Sequence, residues 1–404
     1  MTDRTLQSQL KVAIIADDLT GAMDAASPFA RRGLEVEVVA NIDQLDSLLS
    51  SCPEVLSVNT NTRHASTQDA AAVVKQVVDT LTRLKPDILF KKVDSTLRGN
   101  VVAESVAAYQ ACGMPSTVFC PAIPAQGRTF VQGCVYIDDV ALKDTAIGQD
   151  LRSAPSAVTV PELFYQSEIS THIRHLDVSQ YDDIAADQFH IIDARCQQDL
   201  TDIAQQCLSI NRQIMFVGAA GLTEALADLL FGPVQHREVG EVLNNSAAFV
   251  VGSRTPEVKN QIEKLMDQHP DSQYIPVVDA TPLAQLELSK FSKLKTPETF
   301  VLHACQSVAE EPLDPDQVAS AMAESTMALL KTVPIDLLVV TGGDTAMAVL
   351  NQFSVSSIRV MGEVQPGIVY GRVKLGDKFV WVVTKAGGFG APSLFHQVLK
   401  FWYA

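Results

Sequence analysis

The sequence predicts an α/β protein of two domains, each a mainly parallel sheet flanked by helices. Short runs rich in Val and Ile alternate with longer amphipathic segments along most of the 404 residues. Such alternation is typical of parallel strands joined by crossover helices. A polar segment at 232–247, with Gly and Pro and no apolar period, interrupts the alternation and predicts a linker. We therefore expect a first domain over residues 1–235 and a second over residues 245–404.

In the first half, one helix is well defined by its pattern, and several runs are apolar enough to be strands. Segment 69–84 places Val74, Val77 and Leu81 on one helix face. The candidate strands are 11–16, 35–39, 55–59, 87–92, 116–120, 189–193 and 213–218. Segment 133–190 is harder to interpret, and we expect it to hold an inserted β-rich piece or a cap.

A second alternating series begins after the predicted linker, without close sequence repeat of the first. Its candidate strands are 247–252, 274–278, 299–304, 336–343 and 378–383. In open α/β sheets, ligands bind beyond the carboxyl ends of the strands. The unusual polar and glycine residues of both halves are found at such ends.

Composition and charge exclude several classes of function. Hydrophobic residues make up 47% of the chain and charged residues 19%, as in a globular protein. The net charge is −16 without a cluster of Lys and Arg, which argues against nucleic acid and anionic membranes as partners. No apolar run reaches the ~20 residues of a membrane span, and the polar N-terminus lacks a signal core. We expect no membrane partner.

The cysteines and histidines show no metal-binding spacing. Seven cysteines are scattered without a CxxC pair, and eight histidines form no zinc motif. Scattered cysteines indicate reduced thiols, so we expect a cytoplasmic protein. The sequence leaves the oligomeric state open, with a homodimer as one option.

Polar clusters follow four candidate strands of the first half. They are ADDLTG (16–21), NTNTR (59–63), KKVDSTLRGN (91–100) and PAIPAQGRTF (121–130). If these strands are neighbours in one parallel sheet, the clusters line a single crevice. One Asp would suffice to cap the helix that follows ADD, so the pair Asp17–Asp18 needs a second reason. We expect Asp17 to accept hydrogen bonds from substrate hydroxyls, and Asp18 to start the helix or help hold Mg²⁺.

The cluster at 91–100 combines cations, hydroxyls and one carboxylate. This mixture suits a small polyhydroxylated anion, whose carboxylate would be held by Arg98 or Lys92. Asp17, Asn59 and Asp94 would accept from its hydroxyls. The alternative is that Asp94 to Thr96 cap a helix near 98–111 while Lys91 and Lys92 are solvated.

The second half carries four glycine signals at strand ends. They are VVGSRT (250–255), VVTGGDTAMAVL (339–350), GEVQPGIVYG (362–371) and VVTKAGGFG (382–390). Glycine lets backbone amides point into a cleft, and a helix N-terminus adds partial positive charge. Neither a Walker A loop nor GxGxxG is present, and tight connections are the alternative. Together with the first half, these signals favour phosphoryl transfer from a nucleotide, with Mg²⁺ on its phosphates.

Seven motifs occur in one order over nearly the whole chain. They are ADDLTGAMD, KKVDSTLRGN, PAIPAQGRTFVQG, GSRT, TGGDTA, GEVQPGI and TKAGGFG. Together they resemble the four-carbon acid sugar kinase family, once a domain of unknown function. The resemblance implies an ATP-dependent kinase that phosphorylates the C4 hydroxyl of threonate, erythronate or 3-oxo-tetronate, in a cleft between the two domains. Within the family, the sequence is most similar to the D-threonate kinases.

The resemblance also implies which residues bind the two substrates. For the sugar acid they are Asp17, Arg63, Lys91, Lys92, Asp94, Ser95 and Arg98, to which the residue pattern adds Asp18 and Asn59. For ATP they are Ser253, Gly342, Gly343, Asp344, Thr345 and Gly387, to which we add Gly388 of the same TKAGGFG motif. We hypothesise that Asp94 receives the hydroxyl proton, because flanking cations keep it ionised. Asp17 and Asp18 are the alternative bases, and the metal ligands stay unassigned.

Two other classes of function are alternatives to a kinase. IIADDLT resembles the strand and nucleophilic Asp of haloacid-dehalogenase-like phosphatases, but those enzymes need DxD and here the two acids are adjacent. A two-lobed sugar-acid sensor without catalysis is the second alternative. Such a sensor would not need the GSRT, TGGDTA and KAGGFG motifs.

Overall fold

The protein is described by a computed structural model that covers residues 10–49, 53–145, 147–149, 159–184, 188–210, 213–235, 246–283, 288–291, 298–307 and 313–403. These residues fall into two compact units, one within Met1–Gln235 and one within His236–Ala404. Residues 236–245 of the predicted linker lie outside the described residues, as does Cys52. The described cysteines are free thiols. In this part of the chain, no helix is long and apolar enough to cross a membrane.

The first unit alternates strands and helices over most of its length. Its strands are β1 Val12–Ala16, β2 Val36–Val39, β3 Val55–Asn59, β4 Ile88–Lys92, β5 Ser116–Cys120, β6 Arg128–Val131, β7 Cys134–Ile137, β8 Val140–Ala141, β9 Ile173–Leu176, β10 Phe189–Ile192 and β11 Ile214–Gly218. Its helices are α1 Leu19–Ala30, α2 Leu45–Leu49, α3 Thr67–Thr82, α4 Val101–Cys112, α5 Val160–Tyr165, α6 Gln197–Ile210 and α7 Ala220–Phe231. The predicted apolar face of α3 is buried at Val74, Val77 and Leu81.

The strands of the first unit form a parallel sheet in the order β2-β3-β1-β4-β11-β5-β10-β9. The mainly parallel architecture that the sequence predicts is therefore confirmed. Strands β6, β7 and β8 form a separate antiparallel sheet, which begins at Arg128 and extends into segment 133–190. The β-rich interpretation of that segment agrees with this small sheet.

The order of the central strands brings three of the polar clusters together. Strand β1 lies between β3 and β4, and Ala16 is in register with both Asn59 and Lys92. Because the three strands are parallel, their carboxyl ends meet at one edge of the sheet. The segments that begin at Asp17, Thr60 and Val93 therefore leave the sheet side by side.

The second unit repeats the alternation and ends in an antiparallel extension. Its strands are β12 Ser246–Val251, β13 Gln273–Val278, β14 Thr299–Cys305, β15 Ile335–Thr341, β16 Ser357–Gln365, β17 Ile368–Leu375 and β18 Lys378–Lys385. Its helices are α8 Pro256–Gln268, α9 Pro315–Thr332, α10 Gly343–Gln352 and α11 Leu394–Tyr403. The sheet order is β13-β14-β12-β15-β18-β17-β16, parallel as far as β18 and antiparallel beyond it.

The core of the second unit lies between its sheet and the helices α8 and α11. Phe249 on β12 packs against Phe395 on α11 with ring centroids 4.9 Å apart. Trp381 and Trp402 belong to the same buried cluster. The burial of these aromatic side chains stabilises β18 up to its carboxyl end. The loop that follows β18 therefore begins at a well-packed position.

Candidate active site

Arg63 joins the first two polar clusters of the first unit. Its Nε donates to Oδ2 of Asp17 at 2.7 Å and its Nη2 donates to Oδ1 of the same residue at 3.0 Å. Its Nη1 donates to Oδ2 of Asp18 at 2.7 Å. Burial raises the pKa of Asp17, but Arg63 and Lys91 outweigh it and leave that pKa lowered. Asp17 is thus ionised and already engaged, with a single guanidinium bound to both adjacent carboxylates.

Asp18 also starts helix α1, as one of the two sequence interpretations predicts. It is the N-cap residue, and its Oδ1 accepts from the backbone N–H of Gly21 at 2.8 Å. Its Oδ2 accepts from the Thr20 hydroxyl at 2.6 Å. Such a cap satisfies backbone donors at the first turn. Asp18 is thus both the helix cap and a ligand of Arg63, whereas Asp17 is a ligand of Arg63.

Asp94 lies in a tight turn rather than at a helix N-terminus. Its Oδ2 accepts from the backbone N–H of Thr96 at 3.2 Å and from Nε of Arg98 at 2.9 Å, while Oδ1 accepts from Nη2 of Arg98 at 2.9 Å. Helix α4 starts later, with Asn100 as its N-cap residue. The alternative in which Asp94 to Thr96 cap the helix is wrong, because the hydrogen bonds of Asp94 stay within the turn that precedes α4.

The charge of Asp94 is strongly stabilised. Burial raises its pKa, but Arg63, whose Nη2 lies 3.8 Å from Oδ1, and Arg98 outweigh that effect. The pKa of Asp94 is therefore held well below its usual range. The sequence-based argument that flanking cations keep this carboxylate ionised agrees with this direction. Arg98, in turn, is bound to Asp94 and is less free to hold a substrate carboxylate than the sequence suggests.

Lys91 forms a buried ion pair instead of being solvated. Its Nζ lies 2.8 Å from Oε2 of Glu104 on α4, and both side chains are almost fully enclosed. Thr62 donates to the other oxygen of Glu104 at 2.8 Å. Burial raises the pKa of Glu104, and Lys91 only partly opposes the shift. Lys91 thus ties β4 to α4 beneath the polar edge of the sheet.

Asn59 is used by the backbone around it. Its Nδ2 donates to the carbonyl of Ala40 at 3.2 Å, and its Oδ1 accepts from the backbone N–H of Asn61 at 3.0 Å. The residue is buried. The structure therefore assigns both polar atoms of this side chain to internal contacts, whereas the sequence analysis expects it to accept from a sugar hydroxyl.

Lys92, which is buried, and Arg128, which is half-buried, have no carboxylate within hydrogen-bond distance among the described residues. Nζ of Lys92 donates to the carbonyl of Val93 at 3.0 Å. Nη1 of Arg128 donates to the Ser95 hydroxyl at 2.8 Å and to Oε1 of Gln126 at 2.9 Å. Nε of Arg128 is buried and has no hydrogen-bond partner in the described part of the chain. These two side chains retain donors for an incoming anion.

Asp24 lies on the face of helix α1 that is turned towards the side chain of Lys92. A Cβ on Gly21 would lie 3.3 Å from Nζ of Lys92, and Asp24 follows one helical turn later, on the same face. Asp24 receives none of the arginine hydrogen bonds that hold the other carboxylates. Burial raises its pKa above the usual range, although Lys92 and Arg128 oppose the shift. Asp24 therefore holds a proton more readily than an ordinary aspartate does.

In the second unit, three loops converge on one pocket. The loops after β12 and β15 supply most of its lining, and α9 adds an apolar wall. The lining residues are Gly252, Ser253, Arg254, Pro315, Val318, Ala319, Thr341, Gly342, Asp344 and Thr345. The loop after β18 reaches the same place, because a Cβ on Gly387 would lie 3.4 Å from Oγ of Ser253. Four of the predicted ATP-binding residues thus line the pocket, Gly387 adjoins it, and Gly388 lies against Thr255.

Close approach and backbone conformation explain why these loops carry glycine. A Cβ on Gly252 would lie 2.0 Å from Oγ1 of Thr345, so the first two loops touch only because it is absent. Gly342, the N-cap residue of α10, has a φ of 92°, which other residues rarely adopt. Gly343 then begins the helix. The pocket therefore opens onto the free backbone N–H groups of α10, which favour an anion.

Several polar residues of these sites are not predicted from the sequence. In the first unit they are Asp24, Glu104 and Arg128. In the second unit they are Arg254, whose Nη1 donates to Oε1 of Gln306 at 2.9 Å, and Lys385, which is buried at the end of β18. All except Glu104 stand within the motifs quoted above. The available signal was a charged residue inside a motif at a strand end, such as the Lys of VVTKAGG.

Comparison with known protein families divides the chain in the same order. Residues 12–226 match the family described as a sugar-binding N-terminal domain, and residues 248–395 match the one described as a nucleotide-binding C-terminal domain. The first match contains the polar edge of the first sheet. The second match contains the pocket that the glycine loops form.

Several characterised relatives are similar over nearly their whole length. A D-threonate kinase of Bordetella bronchiseptica is 32% identical over 95% of both chains. A D-erythronate kinase of Heliobacterium modesticaldum is 25% identical over 94% of both chains. A 3-oxo-tetronate kinase of Cupriavidus necator is 24% identical over 99% of both chains. The chain is thus similar to kinases of three different four-carbon acids.

Solved structures share the fold at lower identity. A Salmonella typhimurium protein described as a putative tRNA synthase superimposes with a TM-score of 0.77 at 18% identity, covering 96% of this chain and 98% of its own. A Haemophilus influenzae protein of the DUF1537 family gives a TM-score of 0.71 at 17% identity, with 96% and 100% coverage. These likenesses show the fold alone.

Proposed function

The chain belongs to the four-carbon acid sugar kinase family, and on that premise we propose that it transfers the γ-phosphate of ATP to the C4 hydroxyl of a four-carbon sugar acid, with D-threonate as the preferred acid. The observation that carries the proposal is the 32% identity to a D-threonate kinase over 95% of both chains. D-Erythronate and 3-oxo-tetronate are the alternative acids, supported by relatives of 25% and 24% identity. A phosphatase and a sensor find no support among these relatives.

We propose that the first unit binds the sugar acid at the edge formed by β3, β1 and β4. The free donors of Lys92 and Arg128 suit the carboxylate of the acid, because neither the buried Lys92 nor the half-buried Arg128 has a carboxylate ligand among the described residues. Arg63 and Arg98 already hold Asp17 and Asp94, and we assign them to fixing those carboxylates. Ser95, which accepts from Arg128, then presents its hydroxyl next to the anion.

Asp94 remains our proposal for the residue that accepts the hydroxyl proton. Asp94 stays ionised because its pKa is well below the usual range. In a loose phosphoryl-transfer transition state, the position of the carboxylate contributes more than its basicity. Its low proton affinity is nevertheless poorly matched to a general base. Asp24 is the second candidate, because its raised pKa would give it a stronger hold on the proton. In either case the proton leaves the C4 oxygen for the carboxylate as that oxygen bonds to the γ-phosphorus and the bond to ADP breaks.

We propose that the second unit binds ATP in the pocket of the glycine loops. The N-terminus of α10 and the loop amides suit the phosphates, and the apolar wall of Pro315, Val318 and Ala319 suits the adenine ring. Mg²⁺ would neutralise charge on the phosphates. Among the described residues no cluster of three or more His, Cys, Asp or Glu side chains could hold a metal ion. Asp344, the carboxylate of the pocket lining, would therefore share the ion with the nucleotide, in keeping with the few protein ligands that Mg²⁺ takes.

The deciding experiment is an ATP-consumption assay on D- and L-threonate, both erythronates and the 3-oxo-tetronates, with the position of the product phosphate identified by NMR. We expect turnover with four-carbon acids, the highest kcat/KM with D-threonate, and phosphate at C4. A higher kcat/KM with erythronate or 3-oxo-tetronate would keep the kinase and change its substrate. Turnover on ordinary sugars with none on the four-carbon acids would overturn the assignment.

A further inference from the structure

Lys385 is a buried cation of the second unit without a counter-ion in the described part of the chain. It is the last residue of β18 and is 1% exposed. Its Nζ donates to the backbone carbonyls of Ala386, at 3.0 Å, and Gly387. The amine also lies 5.7 Å from the centre of the Phe395 ring, within the range of a cation–π contact. Carbonyl groups and an aromatic face are weak substitutes for a carboxylate around a buried charge.

The position of Lys385 links it to the nucleotide pocket. In the parallel pair of β15 and β18 it is in register with Thr341, and its own carbonyl accepts from the backbone N–H of Gly342 at 3.0 Å. Both of those residues line the pocket. Oγ1 of Thr341 is buried there without a hydrogen-bond partner in the described residues. The strand end that carries Lys385 is therefore bonded directly to the strand end that lines the pocket.

Among the residues that the structure describes, no charged side chain of the surrounding elements compensates the amine. Asp344 lies on α10, Arg254 in the loop after β12, Glu257 on α8 and His396 on α11. None of them contributes to the protonation of Lys385, whose pKa is lowered to about 7 by burial alone. In the protonated amine, two of the three N–H donors reach the carbonyls, and the third has no partner among the described residues.

We propose that Lys385 contacts the phosphate groups of the bound nucleotide through its amine. An anion is the partner that a buried lysine without a carboxylate requires, and the pocket next to it has the glycine loops and helix N-terminus of an anion site. The inference rests on the proposed binding of ATP by the second unit, and adds to it the residue that supplies the positive charge. A lysine that only held the loop at residues 386–388 in place would make the two carbonyl contacts, but its protonation would not change when phosphate binds.

Nucleotide binding should then be coupled to proton uptake. A nearby phosphate favours the charged form of the amine, so binding raises a pKa that is about 7 in the free protein. At pH 8 the free amine is mostly neutral, and binding would take up about 0.9 proton. At pH 6 the amine is already protonated, and the uptake falls to about 0.1 proton. The proton uptake therefore disappears as the pH falls through the pKa of Lys385 in the free protein.

The test is isothermal titration of the full chain with the non-hydrolysable nucleotide AMP-PNP and Mg²⁺, in buffers of different ionisation enthalpy at pH 8 and pH 6. The wild-type protein should show the two uptakes above. Lys385→Met should show none at pH 8 and should bind AMP-PNP about 10- to 100-fold more weakly. Its affinity for adenosine, which has no phosphate, should be unchanged. The melting temperature should not fall, because the variant removes an unpaired buried charge.

Each outcome separates this inference from the proposed function. Wild-type protein that binds AMP-PNP without proton uptake at pH 8 would overturn the role of Lys385 while leaving nucleotide binding in place. The same uptake and affinity in Lys385→Met would do so as well. Wild-type protein that binds no AMP-PNP at either pH would overturn the nucleotide-binding function itself. Should Lys385→Met fail to fold, the wild-type uptake still decides the question, and Lys385→Arg, which keeps its charge at both pH values, should bind without uptake.

Discussion

Arg63 and Asp17, 46 positions apart in the sequence, are joined by two parallel hydrogen bonds of 2.7 and 3.0 Å at the edge of the first sheet. The arginine side chain is 14% exposed and the aspartate side chain 5%. A fork of this kind fixes the orientation of both groups. It also means that the best-placed carboxylate of the ADD motif is part of the framework of the site before any substrate arrives.

Arg63→Met should therefore destabilise the first unit. The substitution leaves Asp17 and Asp18 buried without their counter-charge, and breaking a buried pair from one side costs about 3–5 kcal/mol. Urea unfolding followed by circular dichroism measures the free energy of unfolding. Lys75→Ala is the matched control, since it breaks the exposed pair with Asp79 and should cost about 0.5 kcal/mol or less. Equal losses in both variants would show that the hydrogen bonds of Arg63 stabilise the protein no more than an exposed ion pair does.

Protonation of Asp94 at low pH should lower the stability of the first unit. Its pKa is lower in the folded protein than in the unfolded chain, so the stabilisation is fully present above the ordinary carboxylate pKa of 3.8 and is lost as the pH falls towards the folded value. Asp94→Asn should reduce the slope of stability against pH below about 4 by up to about 1.4 kcal/mol per pH unit. Asp24 and Glu104, whose pKa values are raised, oppose this trend. An unchanged acid slope in Asp94→Asn would contradict the prediction.

Paired substitutions should identify the base. If Asp94 accepts the proton, Asp94→Asn should lower kcat by about 10²- to 10⁴-fold with little change in the Kd of the sugar acid. Asp24→Asn would then have a much smaller effect on kcat. The pH profile of kcat/KM gives a second readout. Asp94 predicts no acid limb above about pH 4, whereas Asp24 predicts an acid limb at higher pH that Asp24→Asn abolishes.

Arg128→Met should weaken the binding of the sugar acid and leave the binding of ATP unchanged. Loss of a charge-assisted contact to a carboxylate corresponds to about 10- to 100-fold in KM for the acid. The KM for ATP should stay within about twofold, because Arg128 belongs to the first unit and the ATP pocket to the second. Steady-state kinetics with each substrate varied in turn measures both constants. An increase confined to the KM of ATP would show that the anion site has been misplaced.

Gly342→Val should raise the KM of ATP steeply while binding of the sugar acid survives. Its φ of 92° disfavours any side chain, and the strain falls on the N-cap position of α10. Gly376→Ala is a suitable control for strain alone. Gly376 also has a positive φ, of 62°, but it lies in the turn between β17 and β18, where a Cβ would meet no described residue within 4 Å. A matching loss of ATP affinity in Gly376→Ala would assign the effect to general strain rather than to the pocket.

Much of the architecture follows from the sequence because it depends on local pattern. Alternating apolar runs and amphipathic helices predict the parallel sheets, and the positions of the clusters after β1, β3 and β4 predict a shared edge. The motif GSRT and the glycines after β15 predict the loops of one pocket. Each of these conclusions requires only the order of elements and the conformational needs of glycine, which neighbouring residues reveal.

The tertiary structure alone decided which polar side chains are already satisfied. Lys91 is neutralised by Glu104 on another element, and Arg63 and Arg98 are bound to carboxylates, whereas Lys92, Arg128 and Lys385 are left without one among the described residues. Sequence spacing could not separate these groups, because pairing depends on distances of a few ångströms between residues that lie far apart in the chain. Burial then sets the strength of each pairing, since a charge removed from water must find a partner or change its protonation.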